Sequence, residues 1–269
     1  MKNIVFKYLI VVIGFTLVLT ACDKRELDVP SSTQNANGAR VRFINAAFNI
    51  NDANGGVMLL NIFANGKQIN GNQRVSYSLG FFPAVNVGYA VIPAGNTDFS
   101  FNRAVYGIQR TGRADSIQYT DSVYNKSSFN FESGKFYSVI LRDSLPNLSS
   151  FIIEDNFKNL QDTTFKLRLV NLITKNDVKN DTIELVRRRD KSILATGITY
   201  GKASEYKGFS IITGIGDSFY VRRVGTTVDY PGLGGSIYIN VTPKGYSATI
   251  LAIGTSSRVG ATRNATYFH

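Results

Sequence analysis

From Arg40 onward the chain alternates short apolar runs with turn residues, and it keeps that habit almost to its end. The runs are rich in Val, Ile, Phe, Tyr and Thr, the residues that fit a pleated, half-buried surface, and Asn, Gly, Asp and Pro separate them. The pattern predicts strands over Arg40–Asn45, Val57–Ala64, Val75–Leu79, Gly88–Ile92, Thr97–Asn102, Ser127–Phe131 and Lys135–Leu141. Asn65-Gly66, Asn70-Gly71 and Pro93-Ala94-Gly95-Asn96 supply positive φ or a preset bend and read as turns. Helical periodicity is weakly present around Ile152–Leu160 and nowhere else, so the predicted class is all-β.

The pattern also repeats. Arg40-Val-Arg-Phe-Ile-Asn45 recurs as Lys166-Leu-Arg-Leu-Val-Asn171, and Gly134-Lys-Phe-Tyr-Ser-Val-Ile-Leu141 is echoed by Lys244-Gly-Tyr-Ser-Ala-Thr-Ile-Leu251, in the same order and at comparable separation. Two copies of one β-sandwich domain explain this better than one large barrel. The expected division is 39–159 and 160–269, with the boundary near Asn159–Thr163, where polar residues interrupt the apolar pattern.

The first 38 residues follow other rules. Lys2 and Lys7 flank the start of an uncharged apolar run, Tyr8–Leu19, which has the layout of a secretory signal and is short for a membrane span. The run closes on Leu19-Thr20-Ala21-Cys22, which resembles the lipobox of bacterial lipoproteins, and Cys22 is the only cysteine. That resemblance implies removal of 1–21 and lipid attachment at Cys22. Residues 22–38 then form a flexible tether, with too little apolar area to offset the entropy of ordering it. Charge directly after Cys22 resembles the export signals of Bacteroidota surface lipoproteins, although the mixed Asp23-Lys-Arg-Glu26 run is less acidic than theirs, and enteric sorting rules would read Asp23 as inner-membrane retention. The outer membrane is the expected site, on either face.

Arg40-Val-Arg-Phe-Ile-Asn-Ala46, Asn61-Ile-Phe-Ala-Asn-Gly66, Tyr89-Ala-Val-Ile-Pro-Ala-Gly95 and Gly134–Val139 together resemble the exported bacterial family of domain of unknown function 4397, which occurs singly and in tandem. The second copy is degenerate, with Gly214-Ile-Gly216 where the Pro-Ala-Gly turn is expected. The resemblance implies tandem immunoglobulin-like or transthyretin-like β-sandwiches and brings no established activity. Arg103–Lys126 departs from it as an insertion, read as a long hairpin or loop that could contact ligand through Arg110 and Arg113.

Charge and chemistry narrow the role. With 43% apolar residues the chain can build real cores, and its net charge is +11. The excess lies mainly beyond Leu160, with 15 basic and 8 acidic residues against 11 and 8 between Ala39 and Asn159. For an exported protein this points to solubility, or to acidic glycans and anionic headgroups, rather than to nucleic acid. His269 is the only histidine and the last residue, which removes Ser-His-Asp and Cys-His catalysis and histidine-dependent zinc sites. No carboxylate pair has glycosidase spacing on sequence grounds: Glu154 and Asp155 would point opposite ways on a strand, and Glu132, Glu184 and Glu205 read as solvated. Asn49–Gly55 resembles a calcium loop but has Ile50 where an acidic ligand is needed, and no metal or cofactor is expected.

The remaining candidates are arginines. Arg187-Arg188-Arg189 reads as a solvated hairpin tip or as a basic contact for phosphate or uronate groups joined by Arg222 and Arg223; on a strand Arg187 and Arg189 share a face with Leu185 while Arg188 takes the other. The expected function is a non-catalytic binding or adhesion module whose partners are the membrane, through the lipid, and an anionic glycan or envelope protein. A structural accessory subunit of a surface assembly is the alternative, and a glycan-active enzyme a distant third.

Overall fold

In the computed structural model, strand pairing takes up the apolar runs of the described residues. The structure describes residues 37–47, 59–71, 73, 75–76, 80–84, 88–106, 117–143, 147–156, 164–174, 182–210, 216–231, 233, 236–239, 247–255 and 263–268. Among these the strands are β1 (Ala39–Asn45), β2 (Leu59–Ala64), β3 (Lys67–Gln68), β4 (Val75–Ser76), β5 (Gly80–Phe82), β6 (Ala90–Ile92), β7 (Gly95–Tyr106), β8 (Ile117–Phe131) and β9 (Phe136–Arg142). They continue as β10 (Ser149–Glu154), β11 (Thr164–Thr174), β12 (Ile183–Arg187), β13 (Ile193–Ile198), β14 (Lys207–Ser210), β15 (Asp217–Arg223), β16 (Ile237–Ile239), β17 (Ser247–Thr255) and β18 (Arg263–Phe268). No helix occurs among the described residues. Ile152–Glu154, where a weak helical period was expected, lies in β10, since both faces of that strand find apolar or polar neighbours. Residues 157–160, the rest of that stretch, fall outside the described residues.

Among the described residues four sheets form within the compact unit Asn35–His269. Sheet I has the order β10-β9-β1-β5, with β6 also on β1; sheet II is β3-β2-β7-β8, with β4 on β2; sheet III is β14-β11-β17-β18; sheet IV is β13-β12-β15-β16. Asn65 and Gly66 both take positive φ, 48° and 78°, in the β2–β3 turn, as Asn-Gly should. The expected hairpin in Arg103–Lys126 holds over its described part, with β7 and β8 paired out to Tyr106 opposite Ile117.

Alternation fixes which sheets meet. Val41, Phe43, Tyr137, Val139 and Leu141 of sheet I interdigitate with Leu60, Ile62, Phe99, Phe101 and Phe131 of sheet II, the Phe43 and Phe99 rings meeting edge to face at 5.3 Å. Leu167, Leu169, Ala248 and Ile250 of sheet III pack in the same way on Ile183, Leu185, Phe219 and Val221 of sheet IV. The other parity of β1, β9, β11 and β17 is buried too. Ile44, Ala46 and Ile140 from sheet I join Val170, Leu172, Leu251 and Ile253 from sheet III in a third apolar cluster. Two sandwiches are thus joined through the outer faces of sheets I and III, and strands buried on both faces read as continuous apolar runs.

The repeated segments pair alike, in a register one residue from the sequence match. β1 pairs with β9 in parallel, Ile44 opposite Ile140, and β11 pairs with β17 in parallel, Val170 opposite Leu251. Leu251 therefore corresponds to Ile140, one residue from the Leu141 that sequence similarity gives it, because facing parity decides the match. Asn45 and Asn171 also correspond: each is buried, with its Oδ1 accepting from the backbone N–H two residues on, Ala47 at 3.3 Å and Ile173 at 3.0 Å. The polar stretch 159–163 expected to divide the copies lies outside the described residues.

Candidate functional site

The predicted arginines of the second half stand at opposite ends of sheet IV, and strand parity sorts them. Arg187–Arg189 lie where β12 ends beside the start of β15, and Arg222 and Arg223 where β15 ends beside Glu184 and Ile183. β12 alternates Ile183 and Leu185 inward with Glu184 and Val186 outward, so Arg187 enters between sheets III and IV and Arg188 lies on the outer face. Arg187 is held on every side: Nε donates to Asp217 Oδ2 at 2.7 Å, Nη2 to the Ser210 carbonyl at 3.0 Å, Nη1 to Asp190 at 3.2 Å, and the guanidinium sits 5.1 Å from the Phe209 ring. Arg189 approaches the same Asp217 at 3.8 Å. Asp190 in turn accepts from the Ser192 hydroxyl and backbone N–H, and these two bonds, with burial acting against them, hold its carboxyl below the ordinary carboxylate value.

On the outer face Tyr220 is the organising group. Its ring is buried beneath Arg188 at 4.6 Å, Lys191 at 5.8 Å and Arg222 at 5.9 Å, a threefold cation–π arrangement. Arg222 Nε donates to Glu184 Oε1 at 2.5 Å, and Glu184 also accepts from the Thr196 hydroxyl at 3.1 Å. Glu184, expected to be solvated, is instead buried by that pairing. Arg188 donates through Nη2 to Asp229, whose residue bridges to Arg222 of the next strand. Arg223, of the opposite parity, lies 5.1 Å from the Tyr230 ring at the sheet's end. The structure thus brings Arg188 and Arg222 together around Tyr220 and separates them from Arg187 and Arg189. Arg110, Arg113 and Cys22 lie outside the described residues.

One residue of this face escaped the sequence reading. Tyr238 of β16 is 62% exposed, opposite Ser218 of β15 and flanked by inward Ile237 and Ile239. Its phenol end lies over Gly216, where an added Cβ would stand 2.1 Å from the hydroxyl oxygen. The alternation Ile-Tyr-Ile was the available signal, obscured because so short a strand is hard to separate from a loop. Gly216 was read as a bend; it also leaves space for an aromatic side chain.

A second polar constellation lies in the joint. Asp155, buried beyond β10, accepts from Ser138 Oγ at 2.7 Å and from the Tyr89 hydroxyl at 2.9 Å, and it pairs with Arg168. Arg168 also donates to Thr249 Oγ1 and to the Glu154 carbonyl, both at 2.8 Å, and stacks on Tyr206 at 4.6 Å. Ser138 and Thr249 are equivalent positions of the repeat, so one carboxylate and one guanidinium bind across it. Farther along the same faces, Arg142 lies 4.5 Å from the Tyr200 ring and Tyr200 donates to Asp143.

No protein-family model and no curated protein matches the chain. Among solved structures it is similar to a "putative cell adhesion protein" from Bacteroides fragilis NCTC 9343, at 10% identity over 87% of this chain and 98% of that one with a TM-score of 0.20. It is similar also to one of the same description from Bacteroides uniformis ATCC 8492, at 10% identity over 87% and 99%, TM-score 0.19. Likeness at that TM-score adds nothing to what the sheets themselves show. No group of three or more His, Cys, Asp or Glu side chains able to hold a metal ion occurs among the described residues.

Proposed function

We propose that the chain is a non-catalytic binding or adhesion module of the bacterial envelope, anchored in the outer membrane by lipid on Cys22 and held off it by the tether 22–38. The observation that carries this reading is the joint: an apolar cluster and a buried Arg168–Asp155 pair couple the two sandwiches. A hinge between beads would leave such faces polar and wet. A stiff two-sandwich body instead transmits force from its anchor to a surface at its far end, which suits attachment and is of no use to a soluble carrier. The lipid would make that attachment durable, since acyl chains contribute about 0.8 kcal/mol per buried methylene.

The test has two arms. Mass spectrometry of the N-terminal peptide should find acylated Cys22, and protease shaving of intact cells should release the rest. Purified protein should then bind extracellular polysaccharide or matrix directly. Unmodified Cys22 removes the anchor, whereas co-purification with one envelope protein and no ligand binding moves the role to an accessory subunit.

A further inference from the structure

Among the ion pairs that secure the arginines of sheet IV, those of Arg187 with Asp217, Arg222 with Glu184 and Arg188 with Asp229 differ in how far water reaches them. Arg187 and Asp217 side chains are 10% and 5% exposed, and Arg222 and Glu184 are 17% and 4% exposed. Arg188 and Asp229 are 34% and 36% exposed. The first two pairs are closed to any outside group. The third is only half-buried and is the most open to exchange, because a pair that water reaches is held by about 1 kcal/mol or less.

The third pair is also incomplete. Asp229 engages the Nη2 of Arg188, while Arg188 Nε is buried and has no hydrogen-bond partner among the described residues. A guanidinium offers a fork of parallel donors that a planar acid group fills two at a time. Here the fork is filled on one side only. Tyr220 fixes its plane from beneath.

We propose that Arg188 is the anion-binding centre of a site for an acidic polysaccharide, one bearing carboxylate or sulfate on its sugar rings, and that Asp229 occupies this centre until the polymer displaces it. The site rests on the reading of the chain as a binding module. Because Arg188 Nε is buried, the polymer's acid group reaches it only as the segment carrying Asp229 and the exposed Val228 moves aside, and displacement then exchanges one internal donor–acceptor contact for two. Sugar, rather than a phosphate-bearing lipid, is favoured by what stands beside the arginine. Arg188 N–H donates to the Ser218 carbonyl at 2.8 Å, and Ser218 pairs with Tyr238, so the three residues cross three adjacent strands in one row. The row is about 10 Å long at ordinary strand spacing. From this backbone row the Tyr238 ring leans toward Gly216 and the Arg188 guanidinium lies over Tyr220, so open ring and cation stand farther apart than the row is long. They match separate sugars of one polymer, one stacking by its C–H face and one presenting its acid group. Lys191, over the same Tyr220, adds positive potential.

The experiment measures binding of the full chain, purified in detergent, to immobilised polygalacturonate, dextran sulfate, neutral dextran and anionic phospholipid vesicles, for wild type, Arg188→Gln, Asp229→Asn and Tyr238→Ala. Unfolding midpoints are followed in parallel. The acidic polymers should bind and neutral dextran should not. Arg188→Gln should weaken binding about tenfold or more through loss of the charge-assisted fork. Asp229→Asn should tighten it, by up to about fivefold, by removing the internal competitor. Tyr238→Ala should weaken it with no change in midpoint. Binding of acidic polymer that Arg188→Gln leaves intact, or an Asp229→Asn variant that binds as wild type or more weakly, overturns the site and leaves the module reading standing. Binding confined to vesicles reassigns the face to the membrane and overturns the sugar proposal. No binding by any variant to any probe overturns both.

Discussion

Replacing Asp155 by alanine removes the carboxylate around which the joint's polar groups are arranged. The Asp155 and Arg168 side chains are 0% and 3% exposed, so the guanidinium left behind loses its counter-charge in a buried place. It keeps its bonds to the Glu154 carbonyl and Thr249 Oγ1, but these are dipoles and do not replace a counter-charge. Breaking one partner of a buried pair costs about 3–5 kcal/mol. Removing both charges together, as Asp155→Leu with Arg168→Met, eliminates the stranded cation. It also removes the bonds that the Tyr89 and Ser138 hydroxyls make to Asp155, at about 1 kcal/mol each. The double variant should therefore fall within about 2 kcal/mol of wild type, giving a favourable coupling of about 2 kcal/mol or more. Urea unfolding measures this. Since the chain has no tryptophan, tyrosine fluorescence and far-ultraviolet dichroism are the probes. In wild type the two should coincide in one transition; in Asp155→Ala the transition should move to lower urea or split in two. A loss below about 1 kcal/mol, or a double variant no more stable than Asp155→Ala, would refute the reasoning that the pair is buried and mutually dependent.

Three further outcomes follow from the same geometry. Burial, and then the bond to Asp143, raises the Tyr200 phenol above its ordinary value of 10.0. The unfolded chain then sheds this proton near pH 10 while the folded one keeps it, so stability is untouched below that pH and falls above it; Tyr200→Phe should remove up to one proton from the alkaline slope of unfolding free energy, and equal slopes would sink the assignment. Leu251→Ala, at a fully buried position of the third cluster, should cost about 2–5 kcal/mol in the same urea assay, whereas an exposed position would lose almost nothing. Gly216→Ala should leave the unfolding midpoint nearly unchanged, because the atom it strikes is the mobile end of exposed Tyr238, yet it should weaken polygalacturonate binding; a large fall in midpoint would mean that the ring is locked in place.

What the sequence revealed of the fold was whatever a single strand can state about itself. β1 and β9 were legible within a residue or two, since their apolar runs are bounded by turn residues. The repeat was legible because Arg-x-x-Asn recurs on β1 and β11, and the structure gives it a reason: the arginines face the joint and the asparagines hold equivalent turns. Its second half slipped by one residue, because identity of letters cannot see which face a residue takes. Pairing was not legible at all. Nothing local in Asp155 announces that Arg168 will stand against it, and the polar stretch between them reads as a linker. Glu184 was misread for the same reason, its partner Arg222 being supplied by the neighbouring strand.

The charge of the second half illustrates why counting is a weak guide to a binding surface. An excess of arginine and lysine suggests an open basic patch, yet Arg168, Arg187 and Arg222 are each held by a buried carboxylate and present little to a partner. Net charge weights those three like any other, although an anion outside the protein cannot reach them. What makes a cation available is the parity of its strand and the exposure of the acid it is paired with. Arg187 and Arg188 are adjacent in the chain and differ in both respects: the inward one has each guanidinium nitrogen engaged, and the outward one shares a half-buried acid and retains an unfilled donor. Exchanging their roles would require shifting β12 by one residue against β15. That shift would expel Leu185 from the core and drive Glu184 into it, so the packing of the sandwich determines which arginine faces outward.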